Sequence, residues 1–365
     1  MIGRKKKKNI DDVIDTPFEE KESGLADVDD EAAGIEVEAA VSSEDVPADG
    51  EVTEAAEGEE NAEPPLIECD GLVKLYKTDE VEVFALQGLD LVINKGELMA
   101  VIGKSGSGKS TLLNIIGALE HPSAGRILIK GKDISKMSEN ELVELRRHTI
   151  GFVWQRASQN LFPYMTAREN IEAQLYFEKS TAAERREKAM KLLEEVGLAD
   201  KADSYPYQMS GGEQQRVAIA VSLVKDPEIL LADEPTGAVD SKTSDRIQAL
   251  FRRINEERGI TVIIVTHDIS LANKVNRVVM ISDGKVSTEK VIKEQYRRQI
   301  DEIGEEGGFA EDTHEEFTVL DKAGRLKLTD EMRADAGIKG NRVRLSVEDG
   351  KIVISSIDDN EKTAD

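Results

Sequence analysis

A glycine-rich stretch in the first third of the chain has the residue types needed to hold a row of phosphates. It reads Gly103-Lys104-Ser105-Gly106-Ser107-Gly108-Lys109-Ser110. The apolar residues 99–102 before it predict a strand, and residues 111–119 after it, starting with Thr111, predict a helix. The glycines let backbone amides approach the phosphates, and the helix N-terminus favours their charge. The stretch is therefore predicted to bind ATP, with Lys109 on the β- and γ-phosphates and Ser110 on Mg²⁺.

Two adjacent carboxylates, Asp233 and Glu234, follow a short apolar run at residues 229–232. Asp233 is predicted to hold Mg²⁺ through water, and Glu234 to polarise the attacking water as a general base. An apolar strand that ends in two acids is a weak signal when it stands alone. It becomes a strong one at this distance after the segment Ser210-Gly211-Gly212.

Two further side chains complete the predicted reacting groups. Gln155 follows residues 151–154 and is predicted to contact Mg²⁺ and the attacking water, and to move when the nucleotide changes. His267 directly follows the predicted strand 261–266. It is either a contact of the γ-phosphate or an ordinary loop histidine. The order of the segments along the chain favours the γ-phosphate contact. The predicted chemistry is hydrolysis of ATP.

In this order the segments resemble the ATP-binding subunit of ABC transporters, over roughly residues 66–288. The chain is similar in particular to the lipoprotein-release, macrolide-export and cell-division group (LolD, MacB and FtsE). Three stretches carry this closer resemblance, namely Ala85-Leu86, residues 162–171 and Glu234-Pro235-Thr236-Gly237. The resemblance implies a homodimer of ATPase subunits that meet around ATP, and a separate integral membrane permease of the FtsX/MacB-like type.

Further site residues follow from this resemblance. Tyr76 matches by position the aromatic residue that stacks on adenine in the family; a structural tyrosine is the alternative. Ser210, Gly211 and Gly212 match the signature segment. In the family its serine and its second glycine amide bind the γ-phosphate of ATP held by the opposite subunit. Asp240 matches an acidic position that communicates across the dimer.

The chain departs from the family pattern at three places. The signature segment carries Met209 and Glu213 where Leu and Gln are usual, and Val239 stands where Leu is usual. The stretch at residues 155–163 is about two residues longer than the usual pattern. Because that stretch docks on the membrane subunit in the family, its length puts the choice of partner in doubt more than ATP hydrolysis.

Charge is concentrated near one end of the 365-residue chain. Residues 1–63 hold 21 acidic and 6 basic residues, a net charge of -15 out of -25. This tail is predicted to be disordered, while the basic cluster at residues 4–8 is either solvated or weakly attracted to anionic lipid. The acidic majority argues against nucleic acid as a partner. No apolar run is long enough to span a bilayer, and the single cysteine, Cys69, fits a reducing cytoplasm.

Strands that alternate with helices predict an α/β fold with a mostly parallel sheet. The resemblance makes this a P-loop NTPase of the ABC ATPase fold, with a RecA-like core, an antiparallel β subdomain and a helical subdomain. We predict this domain over residues 64–288, with the helical subdomain at about 138–225. A helix and linker are predicted over 289–316, a small C-terminal β-rich domain over 317–357 and a disordered tail over 358–365.

Residues 317–357 resemble the swapped-hairpin domain of AbrB-type regulators, whose strands interlock in a dimer. A short predicted helix at residues 329–336 precedes two alternating strands, which the Asp349-Gly350 turn joins. The basic residues that bind DNA in such domains are offset here by Asp and Glu. A role in dimerisation or regulation is therefore favoured, because so small a unit needs a partner to complete a core.

The leading hypothesis is an ATPase subunit, peripheral on the cytoplasmic face of the membrane, whose ATP-driven dimer closure drives a permease. The cargo that the resemblance implies is a lipoprotein, lipid, peptide or hydrophobic compound, which is exported or extracted. One alternative is a soluble ABC ATPase without a membrane partner, although such proteins usually carry two cassettes or long inserted coiled coils. The other is a DNA-binding regulator that acts through the C-terminal domain.

Overall fold

The computed structural model describes residues 64–77, 81–268, 274–293, 314–321, 324–328, 330–338, 343–348 and 350–356. The predicted tails at residues 1–63 and 358–365 lie outside the described residues, as does most of the predicted linker. The strands are β1 (Ile67–Lys77), β2 (Glu82–Ile93), β3 (Leu98–Ile102), β4 (Ala124–Ile129), β5 (Lys132–Asp133), β6 (Ile150–Val153), β7 (Ile229–Asp233), β8 (Thr261–Thr266), β9 (Arg277–Ser282), β10 (Lys285–Ile292), β11 (His314–Thr318), β12 (Val343–Glu348) and β13 (Lys351–Ser356). The helices are α1 (Lys109–Ile116), α2 (Glu139–His148), α3 (Ala167–Ala173), α4 (Ala182–Glu195), α5 (Gly211–Leu223), α6 (Ser241–Arg258) and α7 (Asp330–Asp335), with short 3-10 helices at Ile134–Lys136, Ala157–Gln159, Ala199–Lys201 and Pro206–Gln208.

Strand β3 illustrates how an apolar run becomes the centre of the sheet. Its residues are all buried, and neighbours along the strand belong to different hydrophobic cores. Leu98, Ala100 and Ile102 pack in one core, while Met99 and Val101 pack in the other. Successive side chains of a strand point to opposite faces, so a continuous apolar run is buried only where both faces are covered. β3 is therefore an interior strand.

The seven strands of this sheet have the order β11-β10-β9-β3-β8-β7-β6. Neighbouring strands from β9 to β6 pair in parallel, whereas β10 pairs antiparallel with both β9 and β11. Parallel neighbours need crossover connections; α5 lies in the connection from β6 to β7, and α6 in the connection from β7 to β8. The carboxyl ends of β3, β6, β7 and β8 consequently meet at one edge of the sheet, where α/β proteins bind ligands.

A second, antiparallel sheet has the order β2-β1-β4-β5. It shares a hydrophobic core with one face of the central sheet, through β1 and β2 residues such as Ile67, Leu72, Leu89 and Ile93. β1 ends at Lys77, so Tyr76 stands near its carboxyl end. This sheet is the antiparallel β subdomain predicted above.

The helical subdomain is smaller than the predicted residues 138–225. β6 pairs with β7 and therefore belongs to the central sheet, and Leu142 of α2 packs in the core shared with the antiparallel sheet. Four residues of strand are too few to reveal a period of two inside a mostly helical pattern, so the sequence does not predict β6. The helices that make a separate layer are α3 and α4, which pack on each other and on α5. No helix among the described residues is long and apolar enough to cross a membrane.

The predicted boundaries at residues 288 and 316 both cut strands. β10 continues to Ile292, and β11 pairs with it from Thr288 opposite Thr318 to Ile292 opposite His314. The prediction of a helix and linker is therefore wrong at residues 289–292 and 314–316. Charged side chains suggested it, but an edge pair of strands keeps charges at the surface, and Lys290 pairs there with Glu316 at 2.8 Å.

The remaining C-terminal residues include the predicted hairpin and short helix. β12 and β13 pair antiparallel as a separate two-stranded sheet, with Gly350 at a left-handed φ of 75° in the turn. Leu345 pairs with Ile354 and Val347 with Ile352, so these apolar residues share one face. Leu345, Val347 and Ile352 are 65%, 77% and 74% exposed. The hairpin and α7 lie where the sequence predicts them, while the AbrB-like arrangement stays a prediction.

Candidate active site

The loop between β3 and α1 is held in shape by its own lysine. Lys109 is buried, and its Nζ donates hydrogen bonds to the carbonyl oxygens of Gly103 at 2.8 Å and Lys104 at 3.0 Å. Burial lowers the pKa of Lys109, because the charged form is desolvated. Ser105 and Gly106 are exposed at the top of the loop, and Ser107 Oγ is buried without a hydrogen-bond partner. A lysine and an unsatisfied hydroxyl beside exposed backbone are suited to a phosphate chain.

Two glycines of this loop are required by close neighbours. A Cβ at Gly103 would lie 2.3 Å from the carbonyl oxygen of Ile281. At Gly108, which precedes α1 with a left-handed φ of 103°, a Cβ would lie 2.3 Å from the carbonyl oxygen of Ala85. Backbone from β9 and β2 thus encloses the loop. The residue pair 85–86, noted in the sequence as part of the resemblance, is one wall of this enclosure.

Ser110 and Asp233 form the pair of oxygens that fits a magnesium ion. The Ser110 hydroxyl donates a 3.3 Å hydrogen bond to Asp233 Oδ1 across the carboxyl edge of the sheet. Burial raises the pKa of Asp233, although the hydrogen bond from Ser110 opposes the shift. A hydroxyl and a carboxylate side by side are the hard oxygen ligands that Mg²⁺ prefers. These residues fit the metal predicted from the sequence.

The next residue along the chain, Glu234, lies between the other two predicted side chains. Its Oε1 lies 3.0 Å from Nδ1 of His267, and its Oε2 accepts a 3.2 Å hydrogen bond from Nε2 of Gln155. Gln155 follows β6 and His267 follows β8, on either side of β7 in the sheet order. The backbone of Glu234 has a left-handed φ of 44°, a conformation that residues other than glycine rarely adopt. Three strand ends therefore converge on one carboxylate.

Tyr76 approaches the same loop from the antiparallel sheet. Its hydroxyl donates a 2.6 Å hydrogen bond to Glu120 Oε2 and lies 3.5 Å from Thr111 Oγ1 at the start of α1. Lys74 Nζ lies 5.1 Å from the ring centroid, and the residue is 39% exposed. A partly exposed ring fixed beside the phosphate-binding loop could serve as the adenine platform that the resemblance implies.

The signature segment begins helix α5 and is separate from the cluster around Glu234. Ser210 is the N-cap residue, and its hydroxyl donates to Glu213 Oε2 at 2.8 Å while Glu213 N donates back to it at 3.3 Å. Ser210 and Gly211 are exposed, whereas Gly212 is buried. The backbone amide and hydroxyl of Ser210 hold the pKa of Glu213 below its usual range. Glu213, a departure from the family pattern, thus fixes the serine hydroxyl.

Thr243 connects the signature segment to Asp240. A Cβ at Gly212 would lie 2.1 Å from Thr243 Cγ2, so the two helices touch at this point. Thr243 in turn donates from its amide and its hydroxyl to the Asp240 carboxylate, at 3.1 and 2.7 Å, which caps α6. Neither the sequence pattern nor the resemblance singled out Thr243. Its only sequence signal is its place three residues after an N-cap aspartate.

These features define a P-loop ATPase with the sheet arrangement and signature helix of an ATP-binding cassette. The sequence profile of the ABC transporter family matches residues 86–237, and the chain belongs to this family. It is an ABC-type ATPase, as predicted from the sequence, and the predicted fold is confirmed.

Two relatives place the chain more closely within the family. MJ0796 of Methanocaldococcus jannaschii, named an uncharacterized ABC transporter ATP-binding protein, is 44% identical over 232 residues, which cover 62% of this chain and 98% of that protein. The macrolide export ATP-binding/permease protein MacB of Hyphomonas neptunium is 44% identical over 223 residues. That match covers 61% of this chain and only 34% of MacB. The predicted relation to the LolD, MacB and FtsE group agrees with these matches.

Solved structures of an ATP-binding cassette also match the chain. The cassette MJ0796, in a dimeric post-hydrolysis state bound to ADP and Pi, matches with a TM-score of 0.58 and 42% identity. The alignment covers 62% of this chain and 99% of that one. A second dimeric structure of the same cassette matches equally well, at 43% identity. More than a third of this chain therefore lies outside what these cassettes contain.

Proposed function

We propose that the chain is the ATP-hydrolysing subunit of an ABC transporter, which couples ATP-driven dimerisation to a separate FtsX/MacB-like permease. Its cargo is a lipoprotein, lipid, peptide or hydrophobic compound that is exported or extracted. The subunit is peripheral on the cytoplasmic face of the membrane, where the permease holds it. The observation that carries this proposal is the carboxylate of Glu234, held between Gln155 and His267 beside a phosphate-binding loop.

Each residue of the cluster has a chemical part in hydrolysis. Glu234 accepts the proton of the attacking water, and His267 and Gln155 orient that water and the γ-phosphate. Lys109 and the loop amides hold the phosphates. Ser110 and Asp233 would hold Mg²⁺, with Gln155 as its further predicted contact, and the ion would neutralise phosphate charge.

The signature segment supports a site shared between two copies. Ser210 and Gly211 are exposed at the N-terminus of α5, where free amides and the helix dipole favour an anion. The side-chain hydrogen bonds of Ser210 go to Glu213, within the same helix turn. We infer that a second copy presents its ATP here, with Asp240 and Thr243 beside the contact. The dimeric state of the related cassette MJ0796, seen in two structures, supports this arrangement.

A cleft lined by residues 158–162 of the lengthened stretch supports docking of the permease. It has a volume of about 480 Å³, and the lengthened loop lines it with residues 158–162. Arg146, Arg147 and Lys225 also line it, whereas no carboxylate of the described residues does. Arg147 pairs there with Glu178 at 3.2 Å, so Arg146 and Lys225 are the lining cations that favour an acidic segment of the partner.

Exposed aromatic side chains add an apolar part to the same surface. Tyr164, Tyr176 and Phe177 are 70%, 53% and 86% exposed, and Phe162 lies 5.9 Å from Tyr164 between ring centroids. Phe162 and Arg147 both line the cleft, and Arg147 donates to the carbonyl oxygen of Phe177 at 3.1 Å. A cytoplasmic segment of the permease with apolar and acidic side chains would fit both parts.

Purification from detergent-extracted membranes tests this proposal. The chain should recover a permease with four transmembrane segments, and a Tyr164→Ser, Phe177→Ser variant should lose it. Val92→Ser, an exposed apolar position on β2, is the control that keeps it. An active ATPase that recovers no integral membrane protein would instead support the soluble alternative. A salt-sensitive shift of DNA would support the regulator alternative.

We also propose that the β12–β13 hairpin is a second contact between two copies. A two-stranded hairpin is at best marginally stable alone, and this one exposes Leu345, Val347 and Ile352 on one face. Pairing with the same face of a second copy would bury them. Such a contact would keep two ATPase subunits together when ATP is absent.

A further inference from the structure

The C-terminal part of the chain is joined to the turn between β9 and β10. Beyond the β10–β11 pairing, the amide of Val319 donates to the carbonyl oxygen of Ser287 at 3.2 Å. Asp321 pairs with Lys285 at 3.4 Å. Lys327 donates to Ser282 Oγ at 2.7 Å and forms an ion pair with the Asp283 carboxylate. Residues 314–321 and 324–328 are therefore attached to β10 and the turn before it, by strand pairing and by charge.

The same turn forms one side of the phosphate-binding loop. The amide of Gly284 donates to the carbonyl oxygen of Ser107 at 3.1 Å, inside the loop. The carbonyl oxygen of Ile281 closes against Gly103, as described above. The turn is also tied to β2, because the amide of Gln87 donates to the carbonyl oxygen of Gly284 at 2.9 Å. Any charge on this turn consequently lies near the loop that is predicted to bind the phosphates.

The turn does carry a charge. The Asp283 side chain is 78% exposed, and its ion pair with Lys327 is the largest cause that lowers its pKa. Lys104 of the phosphate-binding loop lowers the same pKa, so the carboxylate is within electrostatic range of the loop. An uncompensated carboxylate there would repel the phosphates of ATP. Lys327 supplies the compensating charge from a segment that the family profile does not cover.

We propose that Lys327 is a positioning residue for ATP binding, which neutralises Asp283 at the side of the phosphate-binding loop. The C-terminal segment thereby sets the affinity of the cassette for nucleotide. Movement of this segment away from the turn would lower that affinity without altering any residue of the loop. The proposal rests on ATP binding at residues 103–111 and is independent of the permease.

Nucleotide titrations of the full chain test this proposal. Lys327→Ala should weaken binding of ATP, measured with Mg²⁺ at low salt, by about threefold to tenfold. The loss should shrink at high salt, because the charges on Asp283 and the phosphates are then screened. Lys327→Arg should bind as the unaltered chain does. Lys351→Ala, an exposed lysine on β13, should also leave the affinity unchanged.

A second substitution separates charge from folding. Asp283→Asn in the Lys327→Ala background should restore the affinity to within about twofold, because the repelling charge has gone. Melting temperatures confirm that each variant is folded. An unchanged affinity in Lys327→Ala would overturn the proposal, as would a folded double variant that stays weak. Absence of ATP binding by the unaltered chain would instead refute the ATP site itself.

Discussion

Oε1 of Glu234 lies 3.0 Å from Nδ1 of His267, and the two residues follow the neighbouring parallel strands β7 and β8. In the proposed mechanism Glu234 is the general base, and the imidazole of His267 orients the attacking water. Glu234→Gln should therefore lower ATP turnover by about 10²- to 10⁴-fold, because the proton acceptor is lost. Nucleotide-bound dimers should accumulate, since Lys109 and its loop are unchanged.

Phosphate release and size-exclusion chromatography with ATP measure these two outcomes. Glu139→Gln, an exposed position at the start of α2, is the matched control. If turnover survives in Glu234→Gln, the general base has been assigned to the wrong residue.

The ring of Tyr76 is expected to contribute to binding of the adenine base. Tyr76→Ala should weaken ATP binding by about 1–3 kcal/mol, the usual range for stacking of a base on an aromatic ring. Binding of inorganic tripolyphosphate should not change, because it has no base. Tyr76→Phe keeps the ring and loses only the contacts of the hydroxyl with Glu120 and Thr111. Equal losses for ATP and tripolyphosphate in the alanine variant would mean that the tyrosine is structural.

The capping box of Ser210 and Glu213 makes a pH-dependent contribution to stability. Hydrogen bonds from Ser210 lower the pKa of Glu213 from 4.5, so the ionised form stabilises the folded chain. Glu213→Ala should lower the free energy of unfolding at pH 7 by about 1 kcal/mol or less, given its exposure. The deficit should be complete above pH 4.5 and fade as the pH falls through the folded-state pKa. Urea unfolding at several pH values checks this, and a deficit that grows in acid would contradict it.

The two signature glycines should differ in their tolerance of alanine. At Gly212 a Cβ would lie 2.1 Å from Thr243 Cγ2, and Thr243 is held by Asp240. At Gly211 the nearest atom would be 3.9 Å away. Gly212→Ala should therefore destabilise the chain by about 1–3 kcal/mol, as overpacking does. Gly211→Ala should have nearly the melting temperature of the unaltered chain in calorimetry. If Gly211→Ala melted lower than Gly212→Ala, α5 and α6 would have to separate readily.

The exposed face of the C-terminal hairpin should control self-association without nucleotide. Leu345→Ser with Val347→Ser should shift the chain towards monomer, because the apolar face no longer gains from burial. Ser346→Asn with Ser355→Asn, on the opposite face of the hairpin, is the control that should not shift self-association. Analytical ultracentrifugation without ATP measures the shift. An unaltered dimer fraction, or a chain that is monomeric throughout, would exclude this contact.

Local motifs could be predicted from the sequence because each carries its own geometry. The loop from Gly103 to Ser110 needs only a strand before it and a helix after it, and the capping residue Ser210 lies beside the helix that it starts. Asp233 and His267 stand at the ends of apolar strands that are easily recognised in the sequence. For these residues, spacing in the sequence determines spacing in the structure.

Contacts between distant segments could not be predicted in this way. Glu120 meets Tyr76 across 44 residues, and Lys327 meets Asp283 across the same separation. No periodicity marks such pairs, because each depends on how two elements pack. Residues 314–316 of β11 are predicted as linker for a related reason, since their charged side chains indicate a strand only once the open edge of β10 is known.

The left-handed backbone of Glu234 has a consequence for heat resistance. A residue with a side chain at a φ of 44° costs about 1–3 kcal/mol relative to an ordinary conformation, and glycine would avoid that cost. The proposed general base is thus retained at the expense of some thermal tolerance. An inactive Glu234→Gly form is accordingly expected to melt at a higher temperature than the working enzyme, as in other proteins whose activity opposes stability.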